Sequence, residues 1–289
     1  MAKNAKRLNL FYIPALMLFA VFVFYPFVDG IRISFTNWNG FSPTYEYVGL
    51  RNYRFFFSDH VIRRVFTNTL IYGFGSTFFQ QVIGLSLALF LDTKFRGRGV
   101  VRTVCYLPVM ISPLIMGYII FYIVQFRGGA LNDIMMLLGL DRVDWMASPN
   151  RSVAIITIVN TLQYMGISMV IYLAGLQNIP TQYKEAAMVD GVGTFSRFRY
   201  ITFPLLIPAI SSSVIINLIG GLRLFDLIRA LTPAAPTTGA HSFTTYLTWA
   251  YFNSQRAGYA ATIGLFTFLL ILVITLVTLK ILDRKEVTM

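Results

Sequence analysis

The sequence predicts an all-α membrane protein, a bundle of about six transmembrane helices with a short extra helix in one connecting loop. Three observations carry this. Only 12% of the 289 residues are charged and 56% are hydrophobic, whereas a soluble domain carries roughly 25% charged residues. Six stretches contain no Lys, Arg, Asp or Glu, and each is long enough to cross a bilayer: at ~1.5 Å per residue, ~20 apolar residues cover a core of ~30 Å. Finally, residues 180–204 read PTQYKEAAMVDGVGTFSRFRYITFP, a polar segment between two of those stretches.

The first expected span, 8–28, lies in the charge-free run Leu8–Val28 and follows Lys3, Lys6 and Arg7. A basic start also marks secretory signal peptides. This apolar run is longer than a signal core and no small-residue cleavage site follows, so it reads as a retained span. The second, 65–91, carries Gln80 and Gln81, expected to bond neighbouring helices. The third, 103–126, holds Cys105, the chain's one cysteine. No intrachain disulfide or Cys metal site is possible, and the residue reads as a small apolar packing group. The fourth span is 152–178. The fifth, 203–228, continues the run Tyr200–Leu222 past Arg223, and the sixth is 257–281. A seventh uncharged run, Ala230–Gln255, contains TPAAPTTGAHSFTT and reads as a loop. Pro14, Pro26, Pro108, Pro113, Pro204 and Pro208 fall in or beside spans. Prolines there bend helices and free carbonyls that neighbours or water must satisfy, which suits a packed bundle with a cavity.

Charge sets the expected orientation. With the amino terminus inside, Lys3, Lys6, Arg7, Lys94, Arg96, Arg98, Arg102, Lys184, Arg197, Arg199, Lys280, Arg284 and Lys285 fall in short inner segments, 13 of the 24 basic residues. Nine arginines lie in longer outer loops with six acids. This is the positive-inside pattern, both termini cytoplasmic, so the net charge of +12 reflects topology and not nucleic-acid binding. Outer loop 29–64 is aromatic and turn-rich, as at an interfacial belt. In the loop 127–151, Asn132 to Leu138 is expected to form a short surface helix with Trp145 as interfacial anchor. His60 and His241 are too far apart in sequence to suggest a metal site.

The inner segment has its own local logic. Pro180 ends the preceding span, Thr181 is a suitable N-cap for a helix starting at Gln182, and Glu185 sits favourably in the first turn. Ala186, Ala187 and Met188 propagate helix, and Gly191 offers a left-handed terminus. About ten residues do not hold a helix alone in water, so another protein is expected to pack on 181–191.

Glu185-Ala186-Ala187, three residues, Gly191, nine residues, then Ile201-Thr202-Phe203-Pro204 resembles the EAA signature of permease subunits of bacterial binding-protein-dependent ABC importers, with Phe203 where Leu is usual. Phe225-Asp226-Leu227-Ile228, Leu231-Thr232 with Pro236, Gly258-Tyr259-Ala260-Ala261, and Pro14 followed by Tyr25-Pro26 are similar to the maltose, multiple-sugar and glycerol-phosphate permeases. Ala234-Ala235-Pro236 departs from the usual Gly-Gly-Pro. The resemblance implies a type I importer permease fold in the bacterial cytoplasmic membrane. It further implies that Glu185, Ala186, Ala187, Asp190 and Gly191 form a coupling helix seated on an ATPase. The implied partners are a second homologous permease chain, two cytoplasmic ATPase subunits, an extracytoplasmic solute-binding protein, membrane lipid and a sugar, with no nucleic acid.

There is no GxxxxGK[ST], so ATP and Mg are expected on a partner and no cofactor or catalytic residue on this chain. Polar residues inside spans are costly and often functional. Asn160, Gln163, Tyr164, Asn217, Arg223 and Asp226 are therefore candidates for a substrate pathway, with helix–helix bonding the competing role for the amides. Arg223, Asp226 and Arg229 stand at i, i+3, i+6, spacing that pairs them on one helical face. Alternatives are an ion-coupled secondary transporter, disfavoured because Asp226 has arginine neighbours and no repeats appear, an ABC importer permease for a non-sugar solute, or a membrane scaffold.

Overall fold

The structure, a computed structural model, describes residues 12–232 and 239–284. Its helices are α1 Ile13–Ser34, α2 Arg51–Ser58, α3 His60–Asp92, α4 Arg98–Met110, α5 Pro113–Val124, α6 Ala130–Leu137, α7 Pro149–Asn178, α8 Thr181–Val189, α9 Thr194–Leu222, α10 Asp226–Leu231, α11 Phe243–Phe252 and α12 Ala257–Asp283. Among the described residues there is no strand, only an isolated bridge between Thr36 and Tyr47. Five helices (α1, α3, α7, α9, α12) are long and apolar enough to cross a membrane, and α4 with α5 makes up to six. The chain forms two compact units, residues 1–62 with 247–268 and residues 63–246 with 269–289.

In the smaller unit α1 runs six residues past the expected end at Val28. Asp29 and Arg32, one turn apart, pair at 2.7 Å and let helix continue through charge. Asn52 donates to the carbonyls of Ser34 and Thr36, both at 2.8 Å, pinning the chain where it leaves α1. The expected loop 29–64 thus contains α2 and the first turn of α3, started where the Asp59 carboxylate accepts from Val61 N–H at 2.9 Å.

In the larger unit α3 and α7 make the most extensive pairing. A small residue allows it: a methyl at Gly84 would stand 3.0 Å from Met169 N and 3.2 Å from Met165 O, and Gly166 does the same for α7 against α4, where a methyl would stand 2.8 Å from Cys105 O. One buried cluster includes Tyr72, Ile156, Leu227, Ile228 and Leu231. A second includes Ala88, Leu91, Met169, Leu173, Leu176 and Leu206, with Cys105 packed against it, as expected for an apolar cysteine.

Three expectations need correction. The stretch 103–126 is not one straight span: α4 and α5 meet at 95°. Pro113 brings no N–H to continue the ladder and Ser112 is extended, so a charge-free run showed length but not direction. The fifth span stops at Leu222, and residues 223–225 separate α9 from α10. Third, part of the expected loop 230–255 is the helix α11; its Pro-rich stretch, including Ala234-Ala235-Pro236, lies outside the described residues, as does the start of the 8–28 span. Trp145 is half-buried and packs against the first cluster. Its indole N–H donates to Asn132 Oδ1 at 3.1 Å, and buried Asn132 also donates to the carbonyls of Gln125, Phe126 and Val143, organising the loop around α6.

Beyond the undescribed stretch the chain is fastened to α3. Asn68 donates to the Gly239 carbonyl at 2.8 Å and Tyr72 to that of Ala240 at 2.6 Å.

Candidate functional site

A pocket of about 270 Å³ opens in the larger unit between α3, α5, α7, α9 and the α9–α10 break. It gathers five of the six candidate pathway residues: Asn160 and Tyr164 from α7, Asn217 from α9, Arg223 from the break and Asp226 from the first turn of α10. The break is held open by specific bonds. Leu224 N–H donates to the Gly221 carbonyl at 3.2 Å, and the Leu224 carbonyl accepts from Ser242 Oγ at 2.8 Å. Gly221 is needed there, because a methyl would lie 2.5 Å from the Tyr72 carbonyl.

Arg223 and Asp226 are both exposed and line this pocket, yet no ion pair joins them. The i, i+3 pairing assumed continuous helix. With α9 ended before Arg223, the guanidinium and carboxylate are left to other partners. Arg229, also exposed, is outside the pocket wall.

Gln163 does not join the pocket. Buried at 1% exposure, it donates to the Ile111 carbonyl at 3.0 Å, the group freed at the α4–α5 bend, so it braces the kink. Gln80, which sequence reasoning gave only a packing role, lines the pocket and also donates to the Asn160 carbonyl at 2.9 Å. Asn160 in turn donates to Ser76 Oγ at 2.9 Å. The signal was present in the Gln80-Gln81 pair: adjacent helical residues point about 100° apart, so two amides serve two surfaces.

Gln81 serves the other surface, a knot joining α3, α7 and α9. Its Oε1 accepts from Tyr172 and, at 2.8 Å, from Ser213, while Asn217 donates to Ser168 Oγ at 2.7 Å. Gln81→Leu would leave two hydroxyls without their acceptor. Each interhelical bond in a membrane contributes about 0.6–2 kcal/mol, so we expect a loss of ~1–3 kcal/mol, read as a lower midpoint of thermal unfolding in detergent.

The segment carrying Glu185 forms α8. Helix starts at Thr181 itself, with Pro180 extended before it and no side-chain cap, so the expected N-cap role of Thr181 is not realised. The other end follows the expectation for glycine. Gly191 takes φ +71°; its N–H donates to the Met188 carbonyl at 3.1 Å and Val192 N–H to that of Ala187 at 2.9 Å, the paired bonds of a Schellman stop. Glu185, Ala186, Met188 and Asp190 are exposed and Ala187 is buried, so α8 offers a shallow face with an acidic rim.

Among the described residues no group of His, Cys, Asp and Glu is placed to hold a metal.

The chain is 32% identical over 286 residues to the trehalose/maltose transport system permease protein MalF of Thermococcus litoralis, covering 96% of this chain and 94% of that protein. It superposes with a TM-score of 0.84 and 26% identity on a chain from the crystal structure of a bacterial ABC transporter involved in the import of the acidic polysaccharide alginate, covering 98% of this chain and 96% of that one. A second structure of the bacterial alginate ABC transporter, in complex with alginate pentasaccharide-bound periplasmic protein, matches at a TM-score of 0.81 and 26% identity over 96% of this chain and 93% of that one. Residues 80–287, which hold the pocket, α8 and the last span, match the family model for binding-protein-dependent transport system inner membrane components, and this multi-pass chain belongs to that family.

Proposed function

We propose that this chain is the transmembrane permease subunit of an ATP-driven uptake system for a carbohydrate, an oligosaccharide or related sugar. It supplies half of the translocation pathway and links it to ATPase subunits. The observation that carries the reading is the convergence of Asn160, Tyr164, Asn217, Arg223 and Asp226 on one pocket beside the α9–α10 break. Amides and a phenol supply hydrogen bonds and flat surface for a sugar ring, and the lone guanidinium and carboxylate add strong donors and acceptors. Relatives named for trehalose, maltose and alginate support the sugar class.

The assembly in this reading holds a second homologous permease chain, two cytoplasmic ATPase subunits and an extracytoplasmic solute-binding protein. The last is supported by the neighbour solved with its periplasmic protein. ATP and Mg belong to the ATPase subunits, and this chain catalyses no reaction. Both termini face the cytoplasm, following the basic inner segments, and Glu185, Ala186, Ala187, Asp190 and Gly191 form the helix that the ATPase grips. ATP binding then shifts α8, and the pocket changes the side it faces, as a two-state element biased from both ends.

Arg223→Gln and Asp226→Asn in the assembled transporter test the pocket. A hydrogen bond to a charged group is worth about 1.5–3 kcal/mol, so uptake efficiency is expected to fall roughly 10- to 100-fold, with substrate-stimulated ATP hydrolysis falling alongside. Unchanged kinetics in both variants would remove these residues from the pathway.

A further inference from the structure

The smaller unit holds a second pocket, of about 330 Å³, that the transport reading does not use. Its wall includes Arg51, Arg256, Trp38, Asn37 and Phe55. It contains two cations and no carboxylate. Neither guanidinium has an ion-pair partner among the described residues, and the Arg256 guanidinium lies over the Phe55 ring at 5.4 Å. Two acids are tied to the wall from outside it: Asp59, which accepts from the Tyr259 hydroxyl at 2.9 Å, and Glu46, whose backbone N–H donates to Asn37 Oδ1 at 2.8 Å.

The pocket is built, not incidental. Gly258 N–H donates to the Trp38 carbonyl at 3.0 Å, an approach that only glycine permits, since a methyl there would stand 3.1 Å from the Thr36 carbonyl carbon. Gln255 is the only non-glycine residue with positive φ among the described residues, at +50°. That uncommon conformation directly precedes Arg256, whose N–H is fixed on the Ala250 carbonyl at 3.0 Å.

Depth identifies the ligand. Counted from the pocket end, the first charge on α12 is Lys280; ~20 residues at ~1.5 Å back from it span the ~30 Å hydrocarbon core and reach Ala260. Arg256 then stands about 6 Å beyond, within the headgroup layer. The most apolar windows of α1 and α12 are wholly unburied, leaving room for acyl chains beside the pocket. Arginine pairs phosphate with two parallel bonds. We propose that this pocket seats the phosphodiester of a net-anionic phospholipid between Arg51 and Arg256, its headgroup hydroxyls against Asn37. A zwitterionic headgroup would bring an ammonium for which the wall offers no carboxylate.

The test is retention of phosphatidylglycerol by the purified, assembled transporter through detergent exchange, read by native mass spectrometry. Arg51→Gln with Arg256→Gln is expected to weaken retention at least about tenfold, the effect of removing one charge-assisted hydrogen bond. The paired Arg→Lys variant, which preserves charge, should keep part of it, and Arg54→Gln, on the same helix outside the wall, all of it. Size-exclusion profiles establish that each variant is assembled. Equal retention by the double Gln variant, or equal loss in Arg54→Gln, overturns the site. Equal retention of phosphatidylcholine overturns its preference for anions. Inorganic phosphate alone displacing the lipid at matched concentration would assign the pocket to a soluble phosphate instead, and displacement by the solute-binding protein would assign it to an acidic protein surface.

Discussion

Gly84→Leu is expected to prevent the larger unit from assembling. The α3–α7 contact is backbone against backbone: a methyl on Gly84 already meets Met169 N at 3.0 Å and Met165 O at 3.2 Å, with Ser168 Cβ closer still. Main-chain atoms inside a 30-residue helix cannot swing aside as a side-chain tip can. Overpacking in an adaptable core costs about 1–3 kcal/mol; here the helices must separate, which also strains the Gln81 knot and strips contacts around Met169, Leu173 and Leu176. Native proteins hold only about 5–15 kcal/mol in reserve. The measurement is the yield of monodisperse protein after detergent extraction, expected to collapse for Gly84→Leu and to fall less for Gly84→Ala. A monodisperse Gly84→Leu protein with unchanged thermal midpoint would contradict this packing.

Gly191→Val is expected to disable transport while leaving the bundle sound. A β-branched residue at φ +71° is a severe outlier, and left-handed backbone costs a residue with Cβ about 1–2 kcal/mol. No atom lies within 4 Å of the position a Cβ would take, so the penalty is conformational and confined to the end of α8. Losing the left-handed turn loses the paired bonds from Gly191 and Val192 that close the helix. If α8 is the handle for the ATPase, uptake should fall and ATP hydrolysis should stop responding to the loaded solute-binding protein, with the thermal midpoint near that of the wild type. Ala186→Trp sharpens the test. Ala186 is exposed, and a bulky ring centred on a docking face typically costs at least ~2 kcal/mol, about 30-fold in affinity for the ATPase. Ala187→Trp would instead disturb folding, because Ala187 is 4% exposed. Transport at normal rates in Gly191→Val and Ala186→Trp would exclude the coupling role.

Sequence alone carried the existence of the helices well and their direction poorly. Absence of charge is a property of each residue, so long runs stood out. Whether a run turns depends on what satisfies the freed backbone, as Gln163 does for Ile111 at the α4–α5 bend, and that partner is 52 positions away. The same limitation explains Arg223 and Asp226. Their spacing was right for one helical face, but Ser242 holds the intervening carbonyl of Leu224 open. Gly191 was legible because its requirement is local, a left-handed stop after a short helix. Asn132 was not: one side chain serving carbonyls on both flanks of α6 has no signature in spacing.

One feature of the pocket reaches beyond recognition. Its lining holds one basic and one acidic residue, Arg223 and Asp226, so this chain contributes one side chain of each sign to the cavity. Carrying an elementary charge through a membrane potential changes the energy by ~2.3 kcal/mol per 100 mV, whereas swinging a balanced pair with a neutral cargo displaces almost none. If this pocket carries an uncharged sugar, import rates should therefore hold steady when an ionophore collapses the voltage while cellular ATP is maintained.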